Sequence, residues 1–293
     1  MIQRASSVGE LAQRSLLRGG RGTVTRVFRT SAYVRTGSDF LLLLWSNGRS
    51  PMTINVIGER ERSGGPKADE ECELSPYGVR AGGMEVNVEG AGIYRSALQS
   101  RGAVSLPGPR ELVKGVSMLR SLYDVSPHGP SLISDPLFRG FAEGRLVQAA
   151  RGSIELKFDD FLGLVGRGGG FTPAGDDFTA GFTSVFNYIA RIRGSNQISI
   201  QMKRASSRTI PESAAAMVYS SRGHVDEGVE RLILDSLGRR EFSGDLTSLA
   251  SRGHTSGMDM SLGVLLAEAV EFGREDRGQA LRGCLESLWS VGR

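Results

Sequence analysis

Two short segments share one unusual spacing, and that repetition constrains the fold more than any other feature of the chain. Gly175-Asp176-Asp177-Phe178-Thr179-Ala180-Gly181-Phe182 aligns with Gly257-Met258-Asp259-Met260-Ser261-Leu262-Gly263-Val264, and both read Gly-x-Asp-apolar-Thr/Ser-x-Gly-apolar. Each copy is expected to open a helix, with its Asp in the first turns and a Gly four residues later on the same face. A glycine there lets another helix come close. The two helices are therefore expected to pack as a pseudo-symmetric pair, with Asp177 and Asp259 near each other at their N-terminal ends. On a plainer reading the glycines are simply the helix contact and the aspartates bond to backbone N–H groups; the sequence leaves both open.

The first copy is entered through Gly166-Arg167-Gly168-Gly169-Gly170-Phe171-Thr172-Pro173. Four glycines in five positions free the backbone for positive φ and for close approach to a ligand. Thr172 is the expected N-cap and Pro173 the expected first helical residue. Phe178, Phe182, Val185, Phe186 and Ile189 then recur at helical spacing, which predicts one buried stripe. A glycine-rich loop feeding the N–H groups of a helix start is a physical anion site. The adjacent carboxylates complicate it, because two like charges about 4 Å apart repel by roughly 4 kcal/mol at an effective dielectric near 20. Either Mg²⁺ lies at Asp176 and Asp177, or the carboxylates accept hydrogen bonds from an amide-bearing substrate or backbone N–H groups while the anion sits on the glycine side. A purely structural turn, with the aspartates complementing the helix dipole, is the plainer alternative. Nucleotide loops do not fit: Phe171 and Thr172 stand where a P-loop needs Lys and Ser/Thr, and Phe171 where the dinucleotide fingerprint needs Gly.

The run from Leu164 to Asp177 resembles the G-x-G-x-G-L-T-P-S/A-G-D-D signature of a largely uncharacterised family that includes the large subunit of bacterial oxamate carbamoyltransferase. Phe171 replaces the usual leucine and Gly169 a common proline. Gly253-His254-Thr255-Ser256-Gly257-Met258-Asp259 resembles the G-H-T/S-S-G-x-D element near the C-terminus of that family. The resemblance implies transfer of a carbamoyl or similar acyl group between a small anionic acceptor and phosphate, with carbamoyl phosphate as the natural donor. Gly166, Arg167, Gly168, Gly169, Gly170, Thr172, Gly175, Asp176, Ser256 and Gly257 would then surround the anion. Asp177 and Asp259 would orient an amide or a metal ion, and His254 could assist proton transfer. No Ser or Cys stands in a recognisable nucleophile elbow, which suits a transfer from an already activated donor. In the resembling system several subunits are associated with the activity. The alternative is thus a non-catalytic anion-binding or assembly subunit of a multi-subunit metabolic enzyme; companion subunits are expected partners, and a homo-oligomer is compatible with either reading.

The rest of the chain sets bounds. At 293 residues it calls for one large or two coupled domains. Its formal charge of +4 arises from 36 Lys+Arg against 32 Asp+Glu without a long run of either sign. No basic stripe with aromatic partners points to nucleic acid, and the longest apolar run, Phe40 to Trp45, is too short to span a bilayer. The arginine excess is as well explained by composition bias as by anion binding. Cys72 and Cys284 have neither metal-ligand spacing nor a disulfide framework, and no signal-peptide core follows the N-terminus; a cytoplasmic protein is expected.

The expected fold class is α+β. Residues 1–92 read as a small β-rich domain, barrel or sandwich-like, with a short helix over Ser7 to Arg18. Strands are predicted at Thr23 to Val27, Ser31 to Arg35, Phe40 to Trp45, Met52 to Ile57 and Val79 to Val88. Residues 58–76 read as an exposed, mobile loop. Residues 93–293 read as a mostly helical domain carrying the glycine-rich signature, 164–182, and the second element, 253–264. Helices are predicted over Ile93 to Ser100, Arg110 to Tyr123, Phe138 to Arg151, Ile154 to Leu164, Glu212 to Tyr219, Val225 to Leu237, Met258 to Phe272 and Gln279 to Trp289. Of the other histidines, His224 is a lesser candidate and His128, between prolines, has no expected role. Arg208 and Thr209, ahead of a predicted helix start at Pro211, form a second-rank anion contact.

Overall fold

The computed structural model describes residues 2–37, 39–60, 65–99, 105–126, 132–238, 240–251 and 255–289. The chain forms two compact units, one of residues 1–96 with 224–227 and one of residues 97–223 with 228–293. Its class is α+β, as the sequence predicts.

The first unit is an eight-stranded barrel with a ninth strand added. Strand β1 (Ile2–Gly9) precedes helix α1 (Glu10–Arg18), and then follow β2 (Gly20–Val27), β3 (Ser31–Thr36), β4 (Asp39–Leu44), β5 (Thr53–Val56), β6 (Glu71–Ser75), β7 (Gly78–Ala81), β8 (Met84–Asn87) and β9 (Gly92–Tyr94). The sheet runs β5-β4-β3-β2-β6-β7-β8-β1-β9 and is closed by pairing of β1 with β5. One edge of β1 runs antiparallel to β5, with Ala5 opposite Val56 and a bulge before Ser7. The other edge runs parallel to β8 at Ile2 to Arg4 and then to β9 at Ser7 to Gly9. Closure removes the unpaired edges that an open sheet would present. Val24, Val34, Leu41, Leu43, Ile54, Leu74, Val79 and Val86 fill the interior, joined by Ala12 and Leu16 of α1.

Several sequence readings are corrected here. The helix begins at Glu10, not Ser7, because the preceding residues are strand β1. The span 58–76 contains β6, where Cys72 and Leu74 point inward between exposed Glu71 and Glu73; residues 61–64 of that span lie outside the described residues. Val79 to Val88 is two strands, since Gly82 at φ +52° turns the chain between them. In place of the helix expected from Ile93 to Ser100, Ile93 and Tyr94 end β9 and Ala97–Gln99 form a 3₁₀ turn, while Ser100 lies outside the described residues.

The second unit is helical: α2 (Pro109–Val125), then α3 (Pro136–Phe141) passing through a π-helical turn at Ala142–Leu146 into α4 (Val147–Ala150), α5 (Phe158–Phe161) and α6 (Ala174–Arg193). Next come α7 (Met202–Ser206), α8 (Pro211–Ser221), α9 (Glu227–Leu237), α10 (Ser243–Ala250), α11 (Ser256–Asp276) and α12 (Gln279–Trp289). Only Phe158–Phe161 of the predicted helix 154–164 is helical, and α7 and α10 are additional. Helix α6 departs from the single buried stripe. Apart from Asp177, every residue from Ala174 to Ala190 is buried, as is most of α11. These two are the central helices, so apolar and small residues surround them on every side. Phe138, Phe161, Phe178 and Phe182 lock α6 in place, with ring centroids 5.0 Å apart for Phe138 and Phe178 and 5.2 Å for Phe161 and Phe182.

Candidate functional site

The repeated spacing does place two helices against each other. A Cβ on Gly181 would lie 2.1 Å from the Met260 carbonyl oxygen, and one on Gly263 would lie 2.3 Å from that of Phe178. Only glycine fits at either crossing point. The helices run the same way: Thr172 Oγ1 and Ser256 Oγ are 2.9 Å apart at their starts, and Arg193 near the end of α6 pairs with Glu271 of α11 at 3.2 Å. The Thr/Ser of the repeat has a matching task in each copy. Thr179 Oγ1 donates to the Gly175 carbonyl and Ser261 Oγ to that of Gly257, both at 2.7 Å. A hydroxyl four residues on can thereby satisfy a backbone acceptor inside a buried helix.

The loop ahead of α6 alternates handedness. Gly166, Gly168 and Gly170 have φ of +81°, +90° and +103°, whereas Gly169 does not share that conformation. This accounts for a G-x-G-x-G pattern, since a side chain at positive φ is strained. The loop folds back on the helix start: Gly175 N donates to Arg167 O at 2.9 Å, and a Cβ on Gly175 would lie 2.0 Å from Leu164 O. The first helical residue is Ala174 and the N-cap is Pro173, whose carbonyl accepts from Asp176 N and Asp177 N. Thr172 is therefore not the cap. Its hydroxyl turns instead to Asp177 Oδ2, at 2.9 Å. The backbone N–H groups of Gly168, Gly169 and Gly170, on the exposed face of the loop, have no hydrogen-bond partner among the described residues.

The three aspartates occupy three different environments. Asp176 is buried and engaged on both oxygens, Oδ1 by Gly166 N at 2.8 Å and Oδ2 by the Thr209 hydroxyl. Burial pushes its carboxyl up, and those donors oppose the shift. Asp259 is fully buried. Its Oδ1 accepts from Tyr123 Oη at 2.7 Å, whereas Oδ2 has no hydrogen bond of ordinary geometry among the described residues. Burial raises it to about 7, against the opposing pull of the Tyr123 and Thr255 hydroxyls. Asp177 is half-buried at the surface end of the group. Burial takes its carboxyl up to about 8, the neighbouring Asp259 charge adds to the rise, and the Ser256 and Thr172 hydroxyls oppose it. Tyr123 itself, sealed from solvent, is held well above the ordinary phenol range by burial first and by Asp259 next.

Thr172, Gly175, Asp176, Asp177, Ser256, Gly257 and Asp259 thus meet where the two helices begin. Arg167 is tethered beside them, with Nη1 3.3 Å from Asp135 Oδ2 and Nε donating to Gly163 O at 3.0 Å. Arg208 donates to Leu162 O at 3.2 Å, while Thr209 reaches Asp176. His224 does not join them. It belongs to the barrel unit, with its Nδ1 2.8 Å from Glu10 Oε1. His254 and His128 lie outside the described residues. Sequence reasoning missed Tyr123, which reads as one more apolar position of α2, and no motif there signals its bond to Asp259.

Residues 164–268 match the family model described as oxamate carbamoyltransferase subunit AllH. The match starts at Leu164, where the glycine-rich signature begins, and takes in both copies of the repeat; the resemblance read from the sequence stands. No curated protein and no solved structure gives a significant match to the chain. The match points to a carbamoyltransferase-related subunit.

Among the described residues, no group of three or more His, Cys, Asp or Glu is arranged to hold a metal ion. Cys72 and Cys284 are both buried, and burial takes their thiols up to about 11 and about 12. Neither has the thiolate character of a nucleophile. No helix among the described residues is long and apolar enough to cross a membrane.

Proposed function

We propose that the joined starts of α6 and α11 bind a small anion bearing a transferable carbamoyl or similar acyl group, and that the chain is a carbamoyltransferase-like enzyme or enzyme subunit. The observation that carries this reading is the pairing of a loop with free N–H groups at Gly168, Gly169 and Gly170 with a half-buried carboxyl, Asp177, raised toward neutrality. The loop N–H groups would hold a phosphate or a developing oxyanion, the electrostatic contribution that usually dominates acyl transfer. An anion beside Asp177 is no longer opposed by a full negative charge below about pH 8, because the carboxyl is protonated there. In that state Asp177 can donate a hydrogen bond to the ligand. Thr172 and Ser256 fix its orientation, and the buried Asp259 with Tyr123 backs it without facing solvent.

A Mg²⁺ ion at Asp177 would draw its remaining ligands from the substrate, since both oxygens of Asp176 are already committed to Gly166 and Thr209. The matched family bears a subunit name, and this supports a second reading in which the chain binds the anion and becomes active only with companion subunits.

The test is thermal unfolding of the purified chain with carbamoyl phosphate, with and without Mg²⁺, comparing wild type with Asp177→Ala and Gly168→Ala. Binding at one hundred times Kd adds about 2.7 kcal/mol of stability, seen as a raised Tm. Both variants are expected to reduce the shift, and wild type to lose it above pH 8. An equal shift in all three proteins would remove the loop and Asp177 from the site. Turnover by the chain alone would exclude the companion-dependent reading.

A further inference from the structure

A second site lies elsewhere in the helical unit. A cavity of about 250 Å³ is lined by Glu111 and Lys114 of α2 together with Arg240, Glu241 and Phe242 on the approach to α10. An adjoining cavity of about 330 Å³ shares Glu111, Arg240 and Phe242 and reaches Ser236 and Phe272. Neither is lined by the glycine-rich loop or by the starts of α6 and α11.

The charges lining the first cavity balance, and two of the four are already engaged. Arg240 Nη1 pairs with Asp235 at 3.2 Å, and Glu241 Oε1 accepts from Ser243 N at 3.1 Å. That leaves Glu111 and Lys114, three residues apart on one face of α2, with no hydrogen-bond or ion-pair partner among the described residues. The floor of the second cavity is polar in a specific way. Ser236 Oγ, fully buried, lies 2.5 Å from Glu268 Oε1 and 3.1 Å from the Ile233 carbonyl oxygen. Glu268 behind it is fully buried, and its Oε2 has no partner among the described residues. Phe242 and Phe272 supply the apolar wall, and Gly115 lets the Phe242 ring approach α2, since a Cβ there would lie 3.0 Å from it.

We infer that this cavity takes a small zwitterion with an apolar side group, of the free apolar amino-acid type. Its carboxylate would pair with Lys114, its ammonium with Glu111, and its side group would lie against Phe242 and Phe272. One uncommitted charge of each sign selects for a ligand carrying both, unlike the anion site at α6. The volumes stand at the small end of ligand cavities, which suits a molecule of this size.

The test is calorimetric titration of the full chain with L-phenylalanine, 3-phenylpropionate and phenethylamine. L-Phenylalanine is expected to bind saturably at one site per chain, and each half-molecule at least about tenfold more weakly. Lys114→Gln and Glu111→Gln, both on exposed side chains, are expected to weaken L-phenylalanine by a similar factor. Absence of saturable binding at millimolar concentrations would overturn the inference. So would equal affinity for 3-phenylpropionate, or affinity unchanged in both variants.

Discussion

The starts of α6 and α11 are built from the same eight-residue pattern, yet they end in opposite circumstances. Gly175 and Gly257 are each bonded by the hydroxyl four residues on, and Gly181 and Gly263 each admit the partner backbone. The aspartates then part ways. Asp177 stands half open beneath two hydroxyls and a glycine loop, while Asp259 is sealed under Tyr123. The shared part of the pattern makes a scaffold, and the difference between the copies makes a site. Burial raises both carboxyls, and the Asp259 charge adds to the rise at Asp177, which a single exposed aspartate at a helix start would not achieve.

Breaking the shared part should have the largest effect. Gly181→Ala and Gly263→Ala each force a methyl into backbone and should cost about 2–4 kcal/mol, read by urea denaturation. A cost under about 0.5 kcal/mol, the size of an ordinary surface change, would mean the helices do not cross at these residues.

The sealed half comes next. Tyr123→Phe leaves Asp259 without its hydrogen-bond donor and should cost about 1–3 kcal/mol in the same measurement, with a further rise in the Asp259 carboxyl. Loss of the anion-induced Tm shift in this variant would show that the sealed half also shapes the open one.

The two carboxyls also predict a pH dependence. Each is raised from 3.8 in the folded state, Asp177 to about 8 and Asp259 to about 7. Between about pH 4 and pH 8 the folded chain therefore holds more protons than the unfolded one, and the stability contributed by these groups falls as pH rises through that window. Above about pH 8 it levels off. Thermal scans across this range should show the decline in wild type and a flatter profile in Asp259→Asn and Asp177→Asn. A profile that rises from about pH 5 to pH 8 in wild type and is untouched by both variants would contradict the environments described.

The smallest effect concerns the loop itself. A Cβ on Gly169 would meet open space at ordinary φ, whereas one on Gly168 would lie 2.7 Å from the Ala174 side chain at φ +90°. Gly169→Ala should change stability by less than about 0.5 kcal/mol, and Gly168→Ala should cost more than about 1 kcal/mol by thermal unfolding.

Much of this was legible in the sequence, for reasons that differ by region. The helix pair could be read because its geometry is written twice, with glycine at the crossing. The strands β2 to β5 could be read because runs rich in β-branched and apolar residues are separated by short polar turns, even though β5 is buried along its whole length. Strand β1 was hidden, since Ser6 and Ser7 interrupt its apolar pattern and the helix that follows begins with no intervening turn. Burial around the whole of α6 could not be read from periodicity, because a helix packed on all sides has no polar face to mark. The partners of the aspartates were the least legible. Tyr123 and Thr209 are ordinary residues until the fold brings them from elsewhere in the chain, and nothing local to either one announces a bond to a carboxylate.

The closure of the barrel carries a consequence for the order of events during synthesis. Ile2 pairs with Glu85 and Ser7 with Gly92, so the strand made first meets those neighbours only after residues 84–94 have left the ribosome. Until then β1 can pair with β5 along one edge, while its other edge stays open and waits on slow long-range pairing. Pauses in translation that delay residues 84–94 should therefore lower the yield of properly folded chain, while the same delay placed well after Tyr94 should leave the barrel unaffected.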